Sequence, residues 1–165
     1  MKKLFFFVAF ILIGLLGFGQ NASQYAFSQS IGTYSAISGG TAITPTGATY
    51  FDDYNYGPLN IGFNFTWRGT VFTQFGLNEN GWISMGATVP TSSYYSLSTG
   101  TTNDVIAAFN YDLYALTANG AEIRYQTLGS APNRSLVVQF KNYGFYSAGL
   151  ADFNFQIQLY ETTNE

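Results

Sequence analysis

No cysteine and no histidine occur in the 165 residues, and these absences remove whole classes of chemistry. Without Cys there is no disulfide framework and no thiol nucleophile. Without His there is no imidazole base or haem ligand, and without either residue no zinc cluster. Charge is scarce too: charged side chains make up 9% of the chain, against about 25% in ordinary soluble domains. Six cations stand against nine acids, so there is no electrostatic footprint for nucleic acid. What remains for chemistry is carboxylates, hydroxyls and amides. Glycosidase-like catalysis would need two acids about 5 to 9.5 Å apart across a cleft. The acids here sit in turn-rich stretches with no such motif, so the chain is expected not to be an enzyme.

In place of charge there is aromatic surface, 19% of residues, and 18 glycines. The first part of that excess is a leader. Lys2 and Lys3 precede an apolar run from Leu4 to Gly17, and Gly17 and Gly19 sit three and one positions before Gln20. That is the layout of a cleaved secretory signal peptide over residues 1–19, too short for the ~20 apolar residues of a spanning helix. The mature domain, 20–165, keeps only Arg68, Arg124, Arg134 and Lys141 as cations. An exported chain without disulfides points to a bacterial source. On that reading the Asn-x-Ser/Thr triplets at 21, 64 and 133 are chance, and the product is secreted or lies on the outer cell surface with no stable membrane span.

Beyond the leader the dominant period is two. Ile61, Phe63 and Phe65 form one alternating series, Val71, Thr73, Phe75 and Leu77 a second, and Ile83 and Met85 a third. Turn chemistry is expected to set their register. A three-residue loop Trp67-Arg68-Gly69 would pair Phe65 with Val71, Phe63 with Thr73 and Ile61 with Phe75, with Gly69 in a left-handed third position. A loop Glu79-Asn80-Gly81 would pair Leu77 with Ile83 and Phe75 with Met85. Both give one apolar face, hence an antiparallel meander over residues 60–86. Further strands are expected at 123–127, 136–140 and 153–159, with weaker ones at Tyr25–Ser28 and Thr33–Ile37. Residues 104–118 fit helical spacing, yet their alternation favours a strand from Val105 followed by a loop. Many short strands with Gly-rich turns read as an all-β, antiparallel, jelly-roll-like β-sandwich behind a signal-peptide helix.

The stretches Asn60-Ile61-Gly62-Phe63-Asn64-Phe65, Asn80-Gly81-Trp82-Ile83, Ala107-Ala108-Phe109-Asn110-Tyr111-Asp112-Leu113 and Ala131-Pro132-Asn133-Arg134 carry a resemblance. The chain is similar to the N-terminal β-sandwich of large bacterial surface proteins that bear a type IX secretion sorting domain. Asn-Gly-Trp-Ile and Ala-Ala-Phe-Asn-Tyr-Asp also faintly resemble nidogen-like extracellular domains. The resemblance implies a non-catalytic extracellular module with an adhesion or presentation role. It also implies that another apolar strand would follow residue 165, so that the domain is a fragment lacking its C-terminal strand or strands.

Two candidate sites follow from residue type. Asp52, Asp53 and Asp112, with Asn55, Asp104 and Asn110, could supply oxygen ligands; such a set suits calcium, though no EF-hand spacing is present and no cofactor is otherwise expected. Tyr94, Tyr95 and Trp67 could stack on sugar rings, in or near the serine- and threonine-rich stretch 87–103. Trp82 reads instead as core. The partner to expect is an extracellular glycan or protein surface, and the alternative function is a carbohydrate- or calcium-binding accessory module of a secreted hydrolase.

Overall fold

The computed structural model describes residues 25–45, 49–88, 104–109, 111–147 and 153–165. The expected leader and most of the stretch 87–103 lie outside them. Among the described residues ten strands follow in order: β1 (Thr41–Ile43), β2 (Tyr50–Phe51), β3 (Asn55–Trp67), β4 (Thr70–Asn78), β5 (Trp82–Met85), β6 (Val105–Ala107), β7 (Leu113–Leu116), β8 (Glu122–Leu128), β9 (Ser135–Phe145) and β10 (Phe153–Tyr160). One sheet takes β3 to β6 in chain order; the other runs β1-β8-β9-β7-β2, with β10 also on β9. Every pairing is antiparallel. The expected all-β sandwich is therefore the fold.

The core lies between the sheets. Ile61, Phe63 and Phe65 of β3, Phe75 and Leu77 of β4 and Ile83 of β5 are buried with Ile123 of β8, Leu136, Val138 and Phe140 of β9 and Ile157 and Leu159 of β10. Burying one such side chain contributes about 1.5 to 3 kcal/mol. Phe140 and Phe155 stack at 4.5 Å with a 7° interplanar angle, and Phe109 packs on Phe155 at 4.7 Å. The aromatic excess is thus largely sandwich filling. The strand expected from Val105 is β6, and the helical alternative for 104–118 yields to β7 and a single 3-10 turn, Thr117–Asn119, closed by Gly120 at φ 71°.

The second hairpin has the expected register, with Phe75 opposite Met85, Leu77 opposite Ile83, and Gly81 at φ 79°. The first does not. Its loop has two residues, Arg68 and Gly69, at φ 52° and 79°, so Trp67 opposes Thr70 and Phe65 opposes Phe72. Positive φ at both positions is the turn whose twist matches that of the flanking strands. Phe72, rather than Val71, packs on the core, and Val71 is 57% exposed. The split of the apolar series that this register should impose is absorbed by a bulge: between the pairs Asn60–Gln74 and Phe65–Phe72, four residues of β3 face only Thr73 of β4. Ile61, Phe63 and Phe65 all point inward as a result.

The backbone groups freed by the bulge are met from the other sheet. The Thr127 hydroxyl donates to the Ile61 carbonyl at 2.6 Å and Arg134 Nη1 to the Gly62 carbonyl at 2.7 Å. Arg134 is in turn fixed by Glu161 through Nε to Oε2 at 2.7 Å, and its guanidinium lies over the Phe63 ring. Gly62 sits at φ 91°, and a Cβ there would stand 2.7 Å from Thr127 Oγ1.

A second departure concerns the amino-terminal arm. Neither Tyr25–Ser28 nor Thr33–Ile37 is a strand; residues 25–38 carry no ladder. A side-chain amide takes the place of a neighbouring strand. Gln139, buried on the outward face of β9, accepts from Ile37 N at 2.8 Å and donates to Ile37 O at 3.3 Å. Gln156 on β10 donates to Ser35 O at 2.9 Å. The arm thereby crosses the outer face of the six-stranded sheet.

Candidate functional site

The turn between β4 and β5 reads Asn78-Glu79-Asn80-Gly81, and its first three side chains are fully buried. A buried carboxylate is costly unless its oxygens are occupied. Glu79 satisfies that condition by accepting from Tyr54 N at 3.0 Å, from the Tyr56 hydroxyl at 2.6 Å and from Asp52 N. Burial raises its pKa, offset in part by these hydrogen bonds and reinforced by the charge of Asp52. The Tyr143 hydroxyl, buried and without a hydrogen-bond partner among the described residues, is pushed well above its ordinary value by burial and by the nearby Glu79 charge.

Each neighbour of Glu79 fixes another segment. Asn78 Nδ2 donates to Asn55 Oδ1 at 2.9 Å, while its Oδ1 accepts from Asn80 N at 2.7 Å. Asn80 bridges two loops: its Nδ2 donates to Asp53 Oδ1 at 2.8 Å, and its Oδ1 accepts from Leu113 N at 2.6 Å. The turn therefore holds the 52–54 loop against the start of β7. That clamp brings Asp52, Asp53 and Asp112 together, each offering an oxygen within 4.8 Å of the others. Mutual repulsion is the electrostatic result. Burial first, then the charges of Asp53 and Asp112, raises the pKa of Asp52; burial and then Asp53 raises that of Asp112.

Of the other oxygen donors named from the sequence, Asp104 does not join this cluster. Asp104 pairs with Arg68 at 3.3 Å, Asn55 is engaged with Asn78, and Asn110 lies outside the described residues. Tyr94 and Tyr95 lie outside them as well. Trp67 is half-buried, with Tyr25 stacked on its ring at 4.7 Å and its Nε1 shielded without a hydrogen-bond partner among the described residues. Trp82 is fully buried. The sequence reading missed Glu79, Asn78 and Asn80 as site-forming groups. Only the unusual placement of a charged residue inside an Asn-x-Asn-Gly turn could have marked them. It also missed an aromatic rim beside the cluster: Tyr146 N donates to Asp112 O at 3.0 Å, and the Tyr146 ring meets Tyr114, which stacks on Tyr50.

Among the described residues no helix is long and apolar enough to cross a membrane. No curated protein and no solved structure matches the chain. A family model described as NIDO related matches residues 24–165, in keeping with the faint nidogen likeness of the Asn-Gly-Trp-Ile stretch and with an extracellular module. The match spans all of the chain from residue 24 onward, and the protein belongs to the NIDO-related family.

Proposed function

We propose that this protein is a non-catalytic extracellular β-sandwich module of a secreted or cell-surface bacterial protein, exported by its amino-terminal leader and serving adhesion or presentation. The observation that carries this reading is the family match over 24–165, which begins just past the signal-peptide layout at 1–19. A rigid sandwich with polar loops at its ends suits such a role, because recognition then resides in loops that the sheets hold in place. The type IX route belongs to this proposal through the sequence resemblance. The test is export: the chain is expressed with its leader in a bacterium that has the type IX machinery, and surface protease sensitivity and the mature amino terminus are measured. Cleavage ahead of Gln20 and surface exposure are expected. Retention of the uncleaved chain in the cytoplasm overturns the reading.

A second reading, a calcium-binding module, is favoured by the convergence of Asp52, Asp53 and Asp112 from two separate loops. Calcium takes six to eight oxygens at about 2.3 to 2.6 Å, so three carboxylates would be completed by carbonyls and waters. A ligand bound only by the folded state raises stability by about 2.7 kcal/mol at one hundred times its Kd. A melting temperature that rises with calcium in the wild type, but not in Asp53→Asn or Asp112→Asn, is the expected result. An unchanged melting temperature and silent calorimetry at millimolar calcium dismiss it.

A further inference from the structure

A cleft of about 920 Å³ opens between the amino-terminal arm and the outer face of β8, β9 and β10, within the range of about 300 to 1,000 Å³ usual for small-ligand sites. Among the described residues its lining holds no charged side chain; the groups that matter are Thr33, Tyr34, Ser35, Ser135, Gln156 and Gln158. Strand parity explains their presence. Ile157 and Leu159 of β10 are buried against the core, so Gln156 and Gln158 project to the opposite face, under the arm.

The amides are fixed in orientation before any ligand arrives. The Tyr160 hydroxyl donates to Gln158 Oε1 at 2.7 Å, and Gln158 Nε2 donates to Gln156 Oε1 at 2.8 Å. Gln156 Nε2 then donates to Ser35 O at 2.9 Å and to Gln139 Oε1 at 3.1 Å. This relay uses both amide protons of Gln156 but one of the two on Gln158, so the second Gln158 proton has no partner among the described residues. It is a preoriented donor at the cleft, with the seryl and threonyl hydroxyls and the 42% exposed Tyr34 ring beside it.

We propose that this cleft binds a neutral carbohydrate. Hydroxyl groups are donors and acceptors at once, as are the amides and hydroxyls that line the cleft, and the apolar face of a pyranose suits the Tyr34 ring. Phosphate or uronate groups would find no cation in the lining. A peptide strand would find no ladder, because β10 turns a face and not an edge toward the cleft. Preorganisation by the relay lowers the ordering cost of binding. The inference rests on the extracellular reading only for the ligand's supply; the site is argued from its own geometry.

The experiment titrates the purified chain, by calorimetry and by perturbation of backbone amide resonances, with neutral hexasaccharides of glucose, mannose, galactose and N-acetylglucosamine. A galacturonate hexamer and a neutral Gly-Ser peptide of similar length are the competing ligands. At least one neutral hexasaccharide is expected to bind, with shifts confined to residues 30–37 and 156–158. Tyr34→Ala and Gln158→Ala should each weaken it by about tenfold or more, while Tyr146→Ala, on the aromatic rim, binds as wild type. Both cleft substitutions fall on solvent-accessible side chains, and an unchanged melting curve verifies their folding. No binding of any neutral hexasaccharide at millimolar concentration, tighter binding of the galacturonate or the peptide, or binding that survives both cleft variants overturns the proposal. A chain that is exported yet ignores these sugars ends this inference alone; one that binds them but is retained in the cytoplasm ends the export reading alone.

Discussion

Replacing Gly62 by alanine tests the bulge in β3, on which the inward orientation of Ile61, Phe63 and Phe65 depends. At φ 91° an L-residue is strained by about 1 to 3 kcal/mol. The new methyl would also stand 2.7 Å from Thr127 Oγ1, and moving that hydroxyl aside breaks its hydrogen bond to the Ile61 carbonyl, worth about 1 kcal/mol. Together these set the expected cost at about 2 to 4 kcal/mol. With an m-value of about 2 kcal/mol/M, the urea midpoint should fall by about 1 to 2 M. In an unbulged strand the same change would stabilise by about 0.5 to 1 kcal/mol, because alanine loses less backbone freedom on folding. The two registers therefore predict opposite signs. Combining Gly62→Ala with Thr127→Ala should recover about 1 kcal/mol through the shared contact. A Gly62→Ala variant within 0.5 kcal/mol of wild type, or more stable than it, would refute the bulge.

Further expectations concern the turns and the buried carboxylate. Arg68→Asn, placing Asn-Gly where both residues have positive φ, should stabilise by about 0.5 to 1 kcal/mol in urea melts, and a loss would argue for the three-residue loop. Glu79→Ala strips the acceptor from two backbone amides and the Tyr56 hydroxyl and should cost about 3 kcal/mol or more, whereas Glu79→Gln, which keeps one carbonyl oxygen, should cost clearly less; equal losses would deny the acceptor role. The pH dependence has a definite sign. Asp52, Asp112 and Glu79 have raised pKa values, so the folded state binds their protons more tightly and their contribution declines as pH rises from the ordinary carboxylate range through the raised values. Glu122 and Glu161, lowered first by hydrogen bonds from Arg124 and Arg134, act oppositely: their contribution is present above the ordinary glutamate value and lost as pH falls through the lowered ones. Urea midpoints measured from pH 3 to 8 should pass through a maximum below neutrality, and Glu79→Gln should flatten the decline above it. A wild-type profile that climbs steadily to pH 8 contradicts this assignment.

Local alternation made the strands visible. The Phe153, Phe155, Ile157, Leu159 series needs only its own period to define a half-buried strand, and β10 spans those residues. Gly81 marked its turn for a similar reason, since a positive φ is a property of one residue. The bulge was hidden because its partners, Thr127 and Arg134, lie 66 and 72 residues away in the chain, and alternation alone assumes an unbroken ladder. Gln139 was hidden likewise: nothing local tells that a glutamine side chain will serve as a strand for Ile37. For the aspartates, residue type was informative and burial was not. Acidic turns suggested Asp52, Asp53 and Asp112, but the clamp that assembles them depends on Glu79 and Asn80 being turned inward, against every expectation for polar residues in a hairpin loop.

The side-chain attachment of the amino-terminal arm bears on how the molecule would respond to force. A load applied ahead of residue 25 reaches the arm first, where the backbone is held by Gln139 at Ile37 and by Gln156 at Ser35. Those contacts would open one after another, as a strip is peeled, while the ladders of β8, β9 and β10 remain unloaded. The next element in line, β1, is a three-residue strand at the sheet edge on β8, and it too would unzip rung by rung. A pull on this end would lengthen the arm at low tension before the sandwich is strained, and the cleft beneath the arm would be lost in the same step, so that pulling would release whatever the cleft holds.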